Sequence, residues 1–281
     1  MFFKIYNKYQ FLRIINSPKY KNDLRRDKKF IGKIINYNGT EKTGILGYCR
    51  ICKKHTWFLI DTLYAYNGLI NYREWMICVN CGLNNRQRFL LNILYKRCKL
   101  YKDCKIYIYE QVTPFYKTLI KKFPDIIGSE YLDSNYKSGT IINGIRHEDS
   151  TNLSFDNNSF NILISLDVFE HVFDFEQSIK EVFRVLKPKG RLLFSIPFYP
   201  NNDKTEKRAD IDSMGEILHN KEPVYHGNPV SNKGALVVYD FSWDIFDILK
   251  NCGFKDIFVT AGYNRLTGNI GSLQYFFEAV K

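Results

Sequence analysis

Phe160-Asn161-Ile162-Leu163-Ile164-Ser165-Leu166-Asp167 is an apolar, β-branched run that stops on an acid. An unbroken apolar run of this length predicts a strand covered on both faces, as in the interior of a parallel sheet. Residues 168–185 follow with a turn and then helical spacing. Lys187-Pro188-Lys189-Gly190 supplies the stop, and residues 191–196 read as the next strand. Strand, acid, helix and strand in that order make a βαβ unit, so the fold class is read as α/β, a Rossmann-like and mostly parallel sheet.

Upstream the pattern repeats. Ile106-Tyr107-Ile108-Tyr109 ends at Glu110, and residues 114–123 are helical in character. Ile126-Ile127-Gly128-Ser129 leads to Glu130, which lies 20 residues after Glu110. Ile145-Arg146-His147 then reads as a third strand running into Glu148-Asp149. In a Rossmann-like unit the acid ending the second strand accepts hydrogen bonds from both ribose hydroxyls, a place held by Glu130. An acid after the third strand accepts from an adenine amino group, which assigns Asp149 with Ser150 beside it. Downstream, His219, Tyr225, His226, Gly227 and Asn228-Pro229 lie in a polar segment that is either a substrate lid or an ordinary insertion. Residues 237–241 read as a strand or turn, with Asp240 either a general base or the cap of the helix at 243–251. Residues 257–260 and 274–280 read as closing strands.

Before this domain the cysteines organise the chain. Cys49-Arg50-Ile51-Cys52 and Cys78-Val79-Asn80-Cys81 are two CxxC knuckles with 25 residues between them. Two residues between thiolates let one tight turn aim both sulfurs at one ion, and two such turns complete a tetrahedral Zn²⁺ shell. Four sulfurs leave no open position, so such an ion is structural. A hairpin containing Trp57, Phe58 and Leu59 fits between the knuckles. Redox dithiols are the rival reading, His55 is an alternative ligand, and Cys98 with Cys104 forms a looser pair. After the second knuckle, Asn84, Asn85, Arg86 and Arg88 read as a basic turn entering a helix. Arg86 and Arg88 either hold an anionic substrate group at that helix start or bond to backbone carbonyls of the ribbon.

At the N-terminus Phe2, Ile5, Tyr6, Tyr9, Leu12 and Ile15 recur at helical spacing until Ser17-Pro18, which predicts one short amphipathic helix. It is either a basic arm or a helix packed on its own domain. Residues 19–33 are a charged connector. The predicted domains are a basic helix and connector over 1–40, a zinc-ribbon module over 41–97 and the nucleotide-binding domain over 98–281. Basic and polar residues interrupt the first 15 residues, so no secretory signal is expected, and no apolar run is long enough to span a membrane. Seven cysteines in 281 residues cannot all pair and are too few for a disulfide scaffold, which points to reduced thiols and a cytoplasmic setting. A net charge of +12 either draws phosphates, anionic surfaces or acidic substrates, or reflects the Lys-, Asn-, Ile- and Tyr-rich composition.

The residues from Asp149 to Phe155, Phe160, Asp167-Val168-Phe169-Glu170-His171, Arg184-Val185-Leu186-Lys187-Pro188 and Gly190 are the informative set. In this order they resemble class I S-adenosylmethionine-dependent methyltransferases of the type 11 kind. With the module at 49–88 the chain resembles those that carry an N-terminal zinc ribbon. The resemblance covers most of 45–281 and is weakest after Pro197. It implies methyl transfer from S-adenosylmethionine to a small molecule, sugar or glycan, with Glu110, Gln111, Glu130, Asp149, Ser150 and Asp167 binding the cofactor. His171 and His226 are the candidate general bases. One departure stands out: the glycine-rich turn usual after the first strand is replaced by Glu110-Gln111-Val112-Thr113-Pro114. Either Glu110 and side-chain hydroxyls hold the cofactor's methionine part, or binding is weakened. The alternative functions are an RNA methyltransferase whose zinc module and basic surface bind phosphates, and a catalytically silent adaptor.

Overall fold

The run at 160–167 forms the strand Phe160–Leu166, with six of its seven residues buried. It pairs in parallel with Leu186–Ser195 on one side and Ile106–Ile108 on the other. With neighbours on both edges and elements on both faces, the strand presents no side to water, which is why its sequence does not alternate. The computed structural model describes residues 2–28, 33–61 and 70–281. It divides into two units, residues 1–100 with 259–276 and residues 101–258 with 277–281.

In the second unit Ile106–Ile108 pairs in parallel with Ile127–Gly128, and a parallel bridge joins Glu130 to His147. Leu186–Ser195 pairs antiparallel with the chain's last residues, from Arg191 opposite Val280 to Phe194 opposite Phe277. The result is an α/β fold on a mostly parallel sheet. The crossover helix Phe175–Val185 starts where Asp174 accepts a hydrogen bond from the Gln177 N–H, and it buries Phe175, Ile179, Val182 and Val185 on one face. Behind it Phe169, Phe175 and Phe194 join ring to ring, with centroids 5.5 and 5.7 Å apart. Gly190 is needed where the chain turns into the strand: a Cβ there would lie 2.7 Å from the Lys187 carbonyl oxygen.

Four sequence expectations change in this unit. The third strand reduces to a hairpin of Ile141–Ile142 with Ile145–Arg146 plus the His147 bridge, because only that residue meets a sheet neighbour. The first helix is Pro114–Ile120, capped by Thr113, and ends before Phe123. The polar segment after the fifth strand is built from short antiparallel ribbons, including Ala209–Ile211 with Ile217–His219 and Tyr225–Asn228 with Ser231–Leu236. Asp240 does not cap the helix Ile245–Asn251, whose N-cap position is Asp244; its carboxylate instead meets Arg208 Nη1 at 2.6 Å.

The first unit contains a four-stranded antiparallel sheet, in the order Lys33–Tyr37, Thr40–Cys49, Lys54–Ile60, Ile77–Cys78. Trp57, Phe58 and Leu59 do lie in a hairpin, but its first strand runs up to and includes Cys49, so the first knuckle forms the hairpin's turn. At the N-terminus the expected single helix is a strand and two helices. Phe2–Ile5 pairs antiparallel with residues 259–262, and Ile5 is fully buried. The helix Lys8–Ile15 begins only after its cap Asn7, and it buries Phe11, while Tyr9 of the expected apolar stripe is 75% exposed. Pro18 then opens a second helix, Pro18–Lys28, as proline can at a first helical position. The rest of the charged connector at 29–32, Met1, and part of the interval between the knuckles at 62–69 lie outside the described residues.

Candidate active site

The strand ends of the parallel sheet carry the candidate cofactor residues. Glu130 lies beyond Ile127–Gly128, and its Oε1 accepts hydrogen bonds from the backbone N–H of Gln111 at 2.7 Å and of Val112 at 3.0 Å. Burial raises this carboxyl above the usual carboxylate range, and the two amide donors oppose the rise. Gln111 is drawn the same way. Its Oε1 accepts from the Arg146 N–H at 2.8 Å, and its Nε2 donates to the Gly144 carbonyl at 3.0 Å. Glu110 accepts from the Thr113 hydroxyl at 3.0 Å. The glycine-poor turn is therefore organised by the second strand's acid, whose carboxylate substitutes for the turn's own backbone geometry. The strand beneath it has the glycine: a Cβ on Gly128 would sit 2.4 Å from the Glu110 carbonyl oxygen and 2.5 Å from the Tyr116 ring.

Asp149 and Ser150 occupy the next loop. Asp149 Oδ1 accepts from the Thr151 N–H and hydroxyl, at 2.8 and 2.7 Å, which fixes a tight local turn. The Ser150 hydroxyl is 2.7 Å from that of Ser178. The loop is held from behind by Glu181, which accepts from the Leu153 N–H at 2.8 Å while paired with Arg184. Asp167, with φ at +51°, accepts from the Ser195 hydroxyl at 2.8 Å. Gln111 and Glu130 are thus connected directly, whereas Asp149 bonds within its own loop, Ser150 to Ser178 of the crossover helix and Asp167 to Ser195 of the neighbouring strand.

The two candidate bases are brought together, though 55 positions separate them. His171 ends the short 3₁₀ turn Phe169–His171, and His226 stands on the ribbon Tyr225–Asn228; their rings meet edge to face with centroids 5.2 Å apart. Between them lies Glu170, fully buried, with Oε1 at 3.7 Å from His171 Nε2 and 3.6 Å from His226 Nδ1. Among the described residues neither carboxylate oxygen has a hydrogen-bond donor in range. Burial pushes the Glu170 carboxyl up to about 7, opposed by the nearness of His226. His171 Nδ1 donates to the carbonyl of Leu236, 65 positions away, at 2.7 Å. Burial also lowers the His171 pKa. Sequence reasoning passed over Glu170; an acid immediately beside a candidate base was the available signal, and its burial was not readable.

In the first unit Cys49, Cys52, Cys78 and Cys81 converge, with all four sulfurs within 4.8 Å of one another. Cys49 and Cys81 Sγ are 4.0 Å apart, and Cys52 and Cys78 Sγ 3.8 Å. Tetrahedral thiolates at a Zn–S distance of about 2.3 Å stand about 3.8 Å from each other, so this donor set fits such an ion with little adjustment. His55 packs its ring against Tyr48 instead, and neither it nor Cys98 or Cys104 belongs to the cluster. Burial pushes the Cys52 thiol up to about 12, and hydrogen bonding to Cys49 and Cys81 pulls Cys78 far down. Arg88 is 2% exposed and donates to the carbonyls of Met76, Leu83 and Gly268, with its guanidinium 4.2 Å from the Phe58 ring centroid. It is therefore not an anion ligand at the helix start. Arg86 pairs with Glu74, its Nε 3.2 Å from Glu74 Oε1.

No helix among the described residues is long and apolar enough to cross a membrane. No curated protein matches the chain. Among solved structures it is similar to an S-adenosylmethionine-dependent methyltransferase from Mesorhizobium loti at 14% identity, covering 65% of this chain and 94% of that one, with a TM-score of 0.37. A second likeness is to a methyltransferase from Methanosarcina mazei at 18% identity, covering 67% and 96%, with a TM-score of 0.37. A third is to DesVI of Streptomyces venezuelae at 13% identity, covering 69% and 90%, with a TM-score of 0.41. Residues 129–194, which carry Glu130, Asp149, Asp167, Glu170 and His171, match the methyltransferase domain family.

Proposed function

We propose that this chain is an S-adenosylmethionine-dependent methyltransferase acting on a small molecule, sugar or glycan, with a structural Zn²⁺ held by Cys49, Cys52, Cys78 and Cys81. The observation that carries the reading is the row of acids Glu110, Glu130, Asp149 and Asp167, three past ends of parallel strands and Asp149 past the His147 bridge, all but the first inside the methyltransferase-matching stretch. Ligands of such sheets bind at the strands' carboxyl ends. Glu130 is assigned to the ribose, Asp149 and Ser150 to the adenine, Glu110 and Gln111 to the methionine part, and Asp167 to the floor below it.

S-adenosylmethionine supplies an electrophilic methyl group on a sulfonium. The protein's part is to position acceptor and donor and to exclude water, which suffices for much of the rate of such a displacement. His171 and His226 are the groups placed to receive an acceptor hydroxyl's proton. With Nδ1 donating to Leu236, neutral His171 keeps its lone pair on Nε2, on the side of Glu170 and His226. Asp240 is excluded from this role by its pairing with Arg208.

Calorimetry of the full chain with S-adenosylmethionine tests the reading. Micromolar affinity, about −8 kcal/mol, is expected; absence of binding overturns it and leaves the silent-adaptor alternative. RNA is the alternative acceptor class, since a net charge of +12 either draws phosphates or reflects composition alone. RNA binding that falls steeply with added salt, by counterion release, identifies that class, and salt-insensitive turnover of a small acceptor excludes it.

A further inference from the structure

We infer that Glu170, His171 and His226 form a second metal site, one that binds a single borderline divalent cation such as Zn²⁺ with a coordination position left open. The three ligand atoms lie within 4.8 Å of one another, and the carboxylate is 3.6 and 3.7 Å from the two imidazole nitrogens. Ligands at about 2.1 Å from a tetrahedral ion are about 3.4 Å apart, so the two carboxylate–imidazole distances need to contract by only a few tenths of an ångström. Two imidazoles and one carboxylate leave a fourth position vacant, which distinguishes this donor set from the closed four-sulfur cluster.

Three features mark the cluster as built for a cation. Glu170 is buried to 0% exposure with no hydrogen-bond donor on either oxygen among the described residues. An ionisable group so placed is costly unless a positive charge joins it. His171 donates Nδ1–H to the Leu236 carbonyl, which fixes the tautomer and aims Nε2 at Glu170, the second-layer arrangement that orients metal-bound histidines. The ribbon that supplies Leu236 also supplies His226, and its register shifts between His226 and Asn228. Such an irregularity re-aims a side chain. One ribbon therefore provides both a ligand and the anchor of another ligand.

This inference depends on the proposed methyltransferase for the ion's purpose, though not for its binding. There the ion would take over acceptor activation from His171 and His226. Held by Glu170, His171 and His226, such an ion would lower the pKa of an acceptor hydroxyl so that its proton could pass to water, and the oxygen would form the new C–O bond as the C–S bond broke and the sulfonium left as a neutral thioether. The histidines hold the ion and do not carry the proton.

The test is a titration of the reduced full-length protein with Co²⁺, followed by absorption, and with Zn²⁺, followed by metal analysis. Two equivalents are expected: one with the intense thiolate-to-metal bands of the cysteine cluster, and one with weak d–d bands alone. Glu170→Gln and His226→Ala should weaken only the second, by about 100-fold or more. His226 is partly exposed on its ribbon, so its variant keeps the test interpretable if Glu170→Gln does not fold. A wild-type protein that takes up a single equivalent overturns the site, as does a second equivalent that survives His226→Ala. Calorimetry with S-adenosylmethionine separates the two claims: cofactor binding without the second ion sinks this inference alone, and the second ion without cofactor binding sinks the methyltransferase reading alone.

Discussion

The cysteine cluster of the first unit and the strand-end acids of the second both gather ionisable side chains, yet they are built in opposite ways. The four sulfurs are turned toward one another, all within 4.8 Å. The acids are turned toward the surrounding chain: Glu130 to the amides of 111 and 112, Asp149 to Thr151, Asp167 to Ser195. Four thiolates brought this close are held together by a cation, whereas acids that already accept hydrogen bonds form a rim without any ligand. The first arrangement should fail all at once when its ion is removed, and the second should fail by degrees.

The largest effect expected is therefore at the cysteines. Structural Zn²⁺ in small modules contributes about 10 kcal/mol or more of coupled folding energy. Chelation, or Cys78→Ser, should unfold the sheet that contains Phe58 and Ile77 while the parallel sheet stays folded, as read by hydrogen exchange. Unchanged protection after complete zinc removal would break the contrast.

Arg88 comes next. It closes the same module by donating to three backbone carbonyls, so Arg88→Ala should cost about 3–5 kcal/mol in urea denaturation, because buried acceptors are left unpaired. Were it an anion ligand instead, stability would hold and only ligand affinity would fall.

At the strand ends the effects shrink. Asp149→Ala should weaken S-adenosylmethionine binding about 10- to 100-fold by calorimetry, with the melting temperature nearly unchanged, since the loop retains its Ser150 and Leu153 contacts. Unchanged affinity removes Asp149 from the adenine site.

What could be read in advance divides along the same contrast. The CxxC spacing fixes local geometry, so the cluster and the turn position of Cys49 and Cys52 follow from a few adjacent residues. The strand at 160–166 and its crossover helix were legible because both report burial through period, unbroken in one and helical in the other. The third strand was not, since residues 145–147 look extended whether or not a sheet neighbour reaches them, and only His147 finds one. The N-terminal stripe misled because Phe2 and Ile5 fall in helical phase with Tyr9 and Leu12 by coincidence, while strand pairing with residues 259–262 decides their conformation. Arg88 and Glu170 are the same lesson in charge: the sequence shows an arginine and a glutamate, and nothing local says that both are buried.

The smallest effect concerns the support behind the Asp149 loop. Burial pushes the Glu181 carboxyl up, but its bonds to Arg184 and to the Leu153 N–H outweigh that and leave it below the usual carboxylate range. A carboxylate with a depressed folded-state pKa adds stability that is fully present above its unfolded value, near 4.3. That contribution is lost as pH falls through the folded value. Arg184 is 31% exposed, so solvent screens the pair and the contribution should be on the order of 1 kcal/mol. Glu181→Gln should therefore lower stability at pH 7 by about that amount and converge with wild type in strong acid, measured by urea denaturation across pH. If the two curves instead stay parallel into strong acid, the carboxylate's charge is not what holds the loop, and the strand-end rim rests on neutral hydrogen bonds alone.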